Sequence, residues 1–399
     1  MKILVINAGS SSLKYQLVEM SNESVIAKGL CERIGLDGRI VHQIGGEKIK
    51  YDVPFPSHQQ AFEELVKLLT TGDKAVISDM SEIAAVGHRV VQGGDRFSDS
   101  ALITEEMLSV LESITDLAPL HNPANIMAIR ACMKVFSKGV PQVAVFDTSF
   151  HSSIPEKAFI YPIPYEMYEK HRIRRYGFHG TSHRYVSARV AELMGKPLSQ
   201  LKVITCHLGN GSSVAAVDCG KSVDTTMGLT PLEGLGMGTR CGSIDPSIVT
   251  FLMDKEGLDT KGINDLMNKK SGYLGVSGLT NDMRDLEEAA EKGHARAALT
   301  LDILGYQLLK YIGGFAAAMG GVDAVVFTGG IGENSDIIRA KACEGLGFIG
   351  LTVDEKINNG LRSKEVDITT KDSKVKAWVV PTNEELVIAR DTKEVAKLK

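Results

Sequence analysis

A chain of 399 residues exceeds what one ordinary hydrophobic core accommodates, so about two domains are expected. With 43% hydrophobic and 24% charged residues the composition is that of a soluble globular protein, and a net charge of −4 argues against a nucleic-acid partner, whose phosphates call for a basic excess. The start Met1-Lys2-Ile3-Leu4-Val5-Ile6-Asn7 turns polar too soon for a signal peptide and no apolar run approaches a membrane span, so no membrane partner and a cytoplasmic location are expected. Cys31, Cys132, Cys206, Cys219, Cys241 and Cys343 lie far apart with no CxxC pair, which fits reduced, mostly buried thiols.

The first predicted strand, 2–7, runs into Asn7-Ala8-Gly9-Ser10-Ser11-Ser12-Leu13-Lys14 before strands at 13–19 and 24–29. Small residues leave backbone N–H groups uncovered, which suits an anion such as phosphate, and they equally suit an ordinary hairpin turn. A helix over 58–70 precedes Gly87-His88-Arg89-Val90-Val91-Gln92-Gly93-Gly94, where Arg89 sits at a strand end giving way to a glycine turn. Helices at 104–116 and 123–137 lead to a strand at 142–146, and Asp147 follows its C-terminal end, a usual catalytic position in α/β folds.

His179 and His183 have i,i+4 spacing but lack the glutamate and third ligand of a zinc site. His183 is instead expected in the first turn of a helix over 182–195, capped by Thr181 or Ser182. Strands at 202–208 and 213–217 flank Leu208-Gly209-Asn210-Gly211-Ser212, a second hairpin with the plan of the first. Gly220-Lys221-Ser222 ends like a Walker A loop, but Ala215 stands at its first glycine.

Arg240 lies in Gly236-Met237-Gly238-Thr239-Arg240-Cys241-Gly242, where little neighbouring bulk stops a guanidinium from forking onto carboxylate or phosphate oxygens. Asn281-Asp282-Met283-Arg284 reads as a surface helix start, where acids are favoured. A helix over 294–319 and a strand over 324–328 follow, then a glycine turn at 329–332 and a helix over 334–344. Gly345-Leu346-Gly347-Phe348-Ile349-Gly350 fits GxGxxG in the wrong order, helix before strand, and is rejected as a dinucleotide site. The last elements are a strand at 376–380 and a helix over 383–396 whose Thr382 and Glu385 have capping-box spacing. Strands interleaved with helices imply an α/β fold with mixed sheets.

The first hairpin, Arg174 to His183, Cys206 to Ser213, Gly238 to Pro246 and Thr328 to Asn334 together resemble the acetate kinase family over essentially the full length. The resemblance implies two duplicated ribonuclease H-like, actin-like ATPase domains with a nucleotide cleft between them. The first would span 1–150, completed by the helix 384–399, and the second 151–383. It implies Mg²⁺-dependent, in-line transfer of the γ-phosphoryl group of ATP to acetate, giving acetyl phosphate and ADP, with Mn²⁺ as an alternative metal and a homodimeric assembly.

By the same resemblance Lys14, His207, Leu208, Gly209, Asn210 and Gly211 grip phosphates, while Asp282, Met283, Arg284, Gly329, Gly330, Ile331, Gly332 and Asn334 hold the nucleoside. Arg89, Arg240 and His179 would act on the reacting groups, with His121 near them and Asp147 either acting on metal-bound water or orienting an arginine. Val91, Leu120, Phe178 and Pro231 would form the pocket for the substrate's methyl group. Asn7 and Glu384 would hold Mg²⁺, which keeps most of its waters. A carboxylate nucleophile is already ionised near neutral pH, so such chemistry needs cations more than a base. Two rivals stay open: a kinase for propionate or butyrate, and an actin-like or chaperone-like nucleotide clamp, which has no need for these cations around an apolar pocket.

Overall fold

In the computed structural model, which describes residues 1–119, 121–136 and 139–398, the chain divides into two units, Met1–Phe150 with Asn383–Lys399 and His151–Thr382. The first unit contains β1 (Lys2–Ala8), β2 (Ser12–Glu19), β3 (Ser24–Glu32), β4 (Arg39–Ile44), β5 (Glu47–Asp52), β6 (Ile83–Val90), β7 (Ala101–Leu102) and β8 (Gln142–Phe146). They form one sheet in the order β5-β4-β3-β2-β1-β6-β8-β7, antiparallel from β1 to β5 and parallel across β1, β6 and β8. The apolar run of β1 is continuous because both of its faces are covered. Leu4 and Ile6 join Phe62, Leu65 and Leu69 of the helix His58–Thr70, whereas Ile3 and Val5 meet Ile388 and Ala389 of the helix Glu384–Val395.

The second unit contains β9 (Lys202–Leu208), β10 (Ser212–Asp218), β11 (Lys221–Thr225), β12 (Ala324–Thr328), β13 (Val366–Asp367) and β14 (Lys376–Val379), ordered β11-β10-β9-β12-β14-β13. Three antiparallel strands followed by two parallel ones repeat the plan β3-β2-β1-β6-β8. The echo between the two hairpins is thus the trace of a duplicated sheet. The long helix Ala295–Met319 covers one face, bringing Leu304, Leu308 and Ile312 against Ile204, Cys206, Val325 and Phe327.

Predicted elements at 58–70, 142–146, 202–208 and 324–328 coincide with the observed ones. β6 was legible only at its end near Arg89, because Ala84, Ala85 and Gly87 have weak strand propensity. The helix Ser247–Glu256 was missed because it buries none of its residues and so carries no core-facing stripe.

Three local expectations are corrected. Gly329–Asn334 is a short helix rather than a glycine turn, and Ser335 caps the next helix, Asp336–Cys343. The helix Gly180–Leu193 starts at Gly180, with His179 before it, so neither Thr181 nor Ser182 is its cap. Asn383, not Thr382, caps the C-terminal helix by accepting from Leu386 N. The six cysteines are unpaired; four are buried, Cys241 is half-buried and Cys219 is exposed. Among the described residues no helix is long and apolar enough to cross a membrane.

Candidate active site

In the first unit, β6 and β8 run parallel with Arg89 beside Val145, and Asp147 is the first residue past β8. Arg89 donates from Nε to Asp147 Oδ1 at 2.9 Å and from Nη2 to Oδ2 at 2.6 Å, a two-pronged pairing in which the carboxylate is 2% exposed. Glu384 Oε2 lies 3.9 Å from Arg89 Nε. Burial alone would push this guanidinium down, but the charges of Asp147 and Glu384 hold it above its ordinary value.

The loop after β6 and the turn after β1 share one support that sequence reasoning missed. Asn125 accepts from Val91 N at 3.2 Å and donates to Ala8 O at 2.8 Å, and Asn122 exchanges hydrogen bonds with the Gln92 backbone. Both asparagines are buried at the start of the helix Asn122–Val135. An asparagine near a helix start usually signals a cap, so only burial reveals the different role.

Asn7 and Lys14 are cross-strand partners at the top of the first hairpin, and with Gln16, Lys28 and Glu385 they line a cavity of about 340 Å³. Among the described residues no group of three or more His, Cys, Asp or Glu is placed to hold a metal ion. The Asn7 carboxamide and the first-turn carboxylates Glu384 and Glu385 offer a sparse oxygen set. Such a set fits Mg²⁺, which relies on water and substrate phosphate, and does not fit structural zinc.

In the second unit, several segments converge on the turn between β9 and β10. Gly329 (φ +76°) passes so close that a Cβ there would stand 2.6 Å from Leu208 O, which only glycine permits. Asn281 Nδ2 donates to Asn210 Oδ1 at 3.4 Å, and Gly238 N donates to Asn210 O at 3.2 Å, so the glycine loop of Arg240 is docked onto the turn. Gly330 is exposed, Ile331 is half-buried against the core of this unit, and Asn334 donates to Gly330 O at 2.9 Å. Gly332 is buried, its carbonyl accepting from fully buried Arg339 at 2.9 Å. Asp282 caps the helix Met283–Glu291 and pairs with exposed Arg284, while the Met283 side chain belongs to the core.

His179 occupies the left-handed backbone region (φ +55°), a costly conformation for a residue other than glycine. Its ring stacks on His207 with centroids 4.2 Å apart, and its Nδ1 lies 2.9 Å from Ser213 Oγ. His207 is held in turn at Nδ1 by Ser182 Oγ at 2.7 Å, and that hydroxyl bonds Thr382 Oγ1. His183 is fully buried between Thr205 Oγ1 at 2.7 Å and Ser213 Oγ at 2.8 Å, and burial pushes it well below its ordinary value.

Arg240 donates from Nη1 to Pro231 O at 3.1 Å and approaches the Met237 thioether. Among the described residues no carboxylate pairs with it, and burial pushes its guanidinium below its ordinary value, though far from deprotonation. A half-buried cation served only by neutral acceptors is suited to receive an anion.

The convergence is sharpest at Gly211. A Cβ built there would stand 3.4 Å from His179 Nε2 and 3.5 Å from Arg240 Nη1. These are ordinary contact distances, so Gly211→Ala is expected to keep wild-type thermal stability. Its methyl group would nevertheless occupy the space through which an anion reaches both donors, and kcat/KM is expected to fall about tenfold or more. Wild-type turnover by this variant would contradict that placement.

Of the expected methyl pocket, Val91 belongs to the first unit and Phe178 and Pro231 to the second, Phe178 being 2% exposed; Leu120 lies outside the described residues. His121 precedes the helix Asn122–Val135 without capping it through its side chain.

Residues 2–390 match the Acetokinase family model. The chain is 58% identical to the acetate kinase of Methanosarcina acetivorans over 399 residues, covering 100% of this chain and 97% of that protein. Among solved structures, Porphyromonas gingivalis acetate kinase is 48% identical with a TM-score of 0.96, and a propionate kinase from Francisella tularensis is 42% identical with a TM-score of 0.92. Each alignment covers 99% of both chains. Likeness of this extent along the whole sequence places the chain in the acetokinase family, as a kinase that transfers the γ-phosphoryl group of ATP to acetate.

Proposed function

We propose that the transfer is a direct in-line displacement in which this chain contributes positive charge, hydrogen-bond donors and positioning rather than a base. The observation that carries this reading is the meeting of His179 Nε2 and Arg240 Nη1 at Gly211. Two anions must react, and donors already aimed at the transferring group need no reorganisation as its charge redistributes. Arg240 and His179 hold the equatorial oxygens, and Arg89 binds the acetate carboxylate. Asp147 accepts no proton from the substrate, which has none to give; it orients Arg89 through the paired hydrogen bonds. The turn 208–211 and Lys14 bind phosphates, while 282–284, Gly329, Gly330, Ile331, Gly332 and Asn334 hold the nucleoside. Asn7 and Glu384 hold Mg²⁺, with Mn²⁺ as a substitute. When bound, the metal neutralises phosphate charge.

The apolar side chains of Val91, Phe178 and Pro231 are assigned to the substrate's methyl group. An apolar pocket separates neighbouring acids by only about 1–3 kcal/mol per methylene, so propionate is expected to be a poorer but real substrate. Trapping acyl phosphate with hydroxylamine across formate, acetate, propionate and butyrate tests this reading. The highest kcat/KM is expected for acetate; ATP turnover without acid-dependent hydroxamate would favour the nucleotide clamp, and a maximum at propionate would move the assignment toward the Francisella enzyme's substrate.

We also infer a cytoplasmic homodimer. The helix Ser247–Glu256 buries none of its residues and exposes Ile248 and Phe251, the latter 59% exposed, which suits association with a second copy. Phe251→Glu is expected to convert the dimer to monomer by light scattering. A monomeric wild-type chain would contradict the assembly.

A further inference from the structure

Ser213 Oγ has one hydrogen and two imidazole partners, Nδ1 of His179 at 2.9 Å and Nε2 of His183 at 2.8 Å. Ser213 is fully buried and among the described residues its hydrogen has no other acceptor, so it donates to one ring and accepts from the other, and the choice decides which nitrogen of His179 carries a hydrogen.

The choice is settled at the far end of the chain of contacts. Thr205 is fully buried in β9, and among the described residues its hydroxyl meets only His183 Nδ1, at 2.7 Å. Were His183 to donate there, the Thr205 hydrogen would face no acceptor in a dry interior, an arrangement native proteins avoid. Thr205 thus donates and His183 Nδ1 accepts. Burial, together with the neighbouring His151 and His207 rings, pushes His183 well below its ordinary value; it stays uncharged and its single ring hydrogen sits on Nε2.

We propose that Ser213 and His183 are positioning residues that fix the tautomer of His179: His183 Nε2–H donates to Ser213, Ser213 O–H donates to His179 Nδ1, and the ring hydrogen of His179 is held on Nε2, beside Gly211. His179 then presents an N–H to an incoming anion, where the other tautomer would present a lone pair. No charge on His179 is required, and Arg240 supplies the positive charge at the same spot. Four side chains on β9, β10 and the start of the helix Gly180–Leu193 act here as one oriented chain. Ser213 is opposite His207 in the antiparallel register, so the hairpin that carries the glycine turn also carries the orienting hydroxyl.

The inference deepens the role given to His179 above and rests on it for its functional meaning. Its test is the nitrogen spectrum of histidine-labelled wild-type protein without ligands, with the His179 ring assigned by its loss in His179→Ala. The expected result is a bare Nδ1 and a protonated Nε2; a hydrogen on Nδ1 would overturn the proposal. This readout concerns the resting protein, so it holds or fails separately from the role of His179 in transfer, which the kinetics of His179→Ala decide.

Ser213→Ala is expected to show both tautomers of His179 and to lower kcat about tenfold, with KM for ATP and acetate changed little. Ser213→Thr, which keeps the hydroxyl, is expected to recover the single tautomer and much of kcat. Unchanged kcat together with an unchanged tautomer in Ser213→Ala would remove Ser213 from this role.

Discussion

Arg240→Ala is expected to lower kcat/KM for acetate by about 100-fold or more while the protein keeps, or slightly gains, thermal stability. The two halves of this expectation come from one fact. The Arg240 guanidinium is half-buried, its partners are the Pro231 carbonyl and the Met237 thioether, and among the described residues no carboxylate offsets its desolvation. A charge kept in that state costs folding energy, so deleting it relieves the resting protein. The cost is offset only when an anion arrives, and the loss on deletion therefore falls on catalysis. Arg240→Met, which keeps most of the aliphatic stem, separates charge from packing and is expected to behave like the alanine variant in kinetics. Near-wild-type kcat/KM in either variant would remove Arg240 from the mechanism.

Breaking the Arg89–Asp147 pair is expected to give the opposite stability result. Arg89→Met leaves the Asp147 carboxylate, 2% exposed, without its two-pronged partner. Removing one member of a buried ion pair costs about 3–5 kcal/mol, because the remaining charge loses the partner that offset its desolvation. The double variant Arg89→Met/Asp147→Leu is expected to regain most of that stability in urea unfolding and none of the activity. Equal stability of the single and double variants would show that solvent or rearrangement already compensates Asp147. Activity restored in the double variant would show that neither residue serves the reaction.

The contrast between the two arginines explains which parts of the site the sequence reveals. Arg89 and Arg240 both stand near glycines, and that local signal marked both, but only tertiary structure separates a guanidinium paired with a carboxylate from one served by neutral acceptors. The hairpins were legible because each is a local event, an apolar strand broken by small residues. The duplicated sheet was visible only as a faint echo, since strand order is made by crossovers that leave no trace in neighbouring residues.

The residues that escaped notice act at long range. Asn122 and Asn125 reach the loop after β6, and Asn125 also reaches the turn after β1, more than a hundred positions away. Ser213, Thr205 and His183 look like ordinary strand and helix residues until their hydroxyls and ring meet. The helix Gly329–Asn334 contradicts its own glycine-rich propensity because side-chain bonds hold it: Glu333 Oε1 accepts from Gly329 N within the helix and from Thr382 N outside it, and Arg339 donates to Gly332 O.

The most direct test is a crystal structure with ADP, Mg²⁺, acetate and a planar mimic of the transferring phosphoryl group. The expected result is a mimic seated against Gly211, its oxygens within hydrogen-bond reach of Arg240 Nη1 and His179 Nε2. A mimic bound away from the 208–211 turn, with both side chains still turned toward an empty Gly211, would contradict the account.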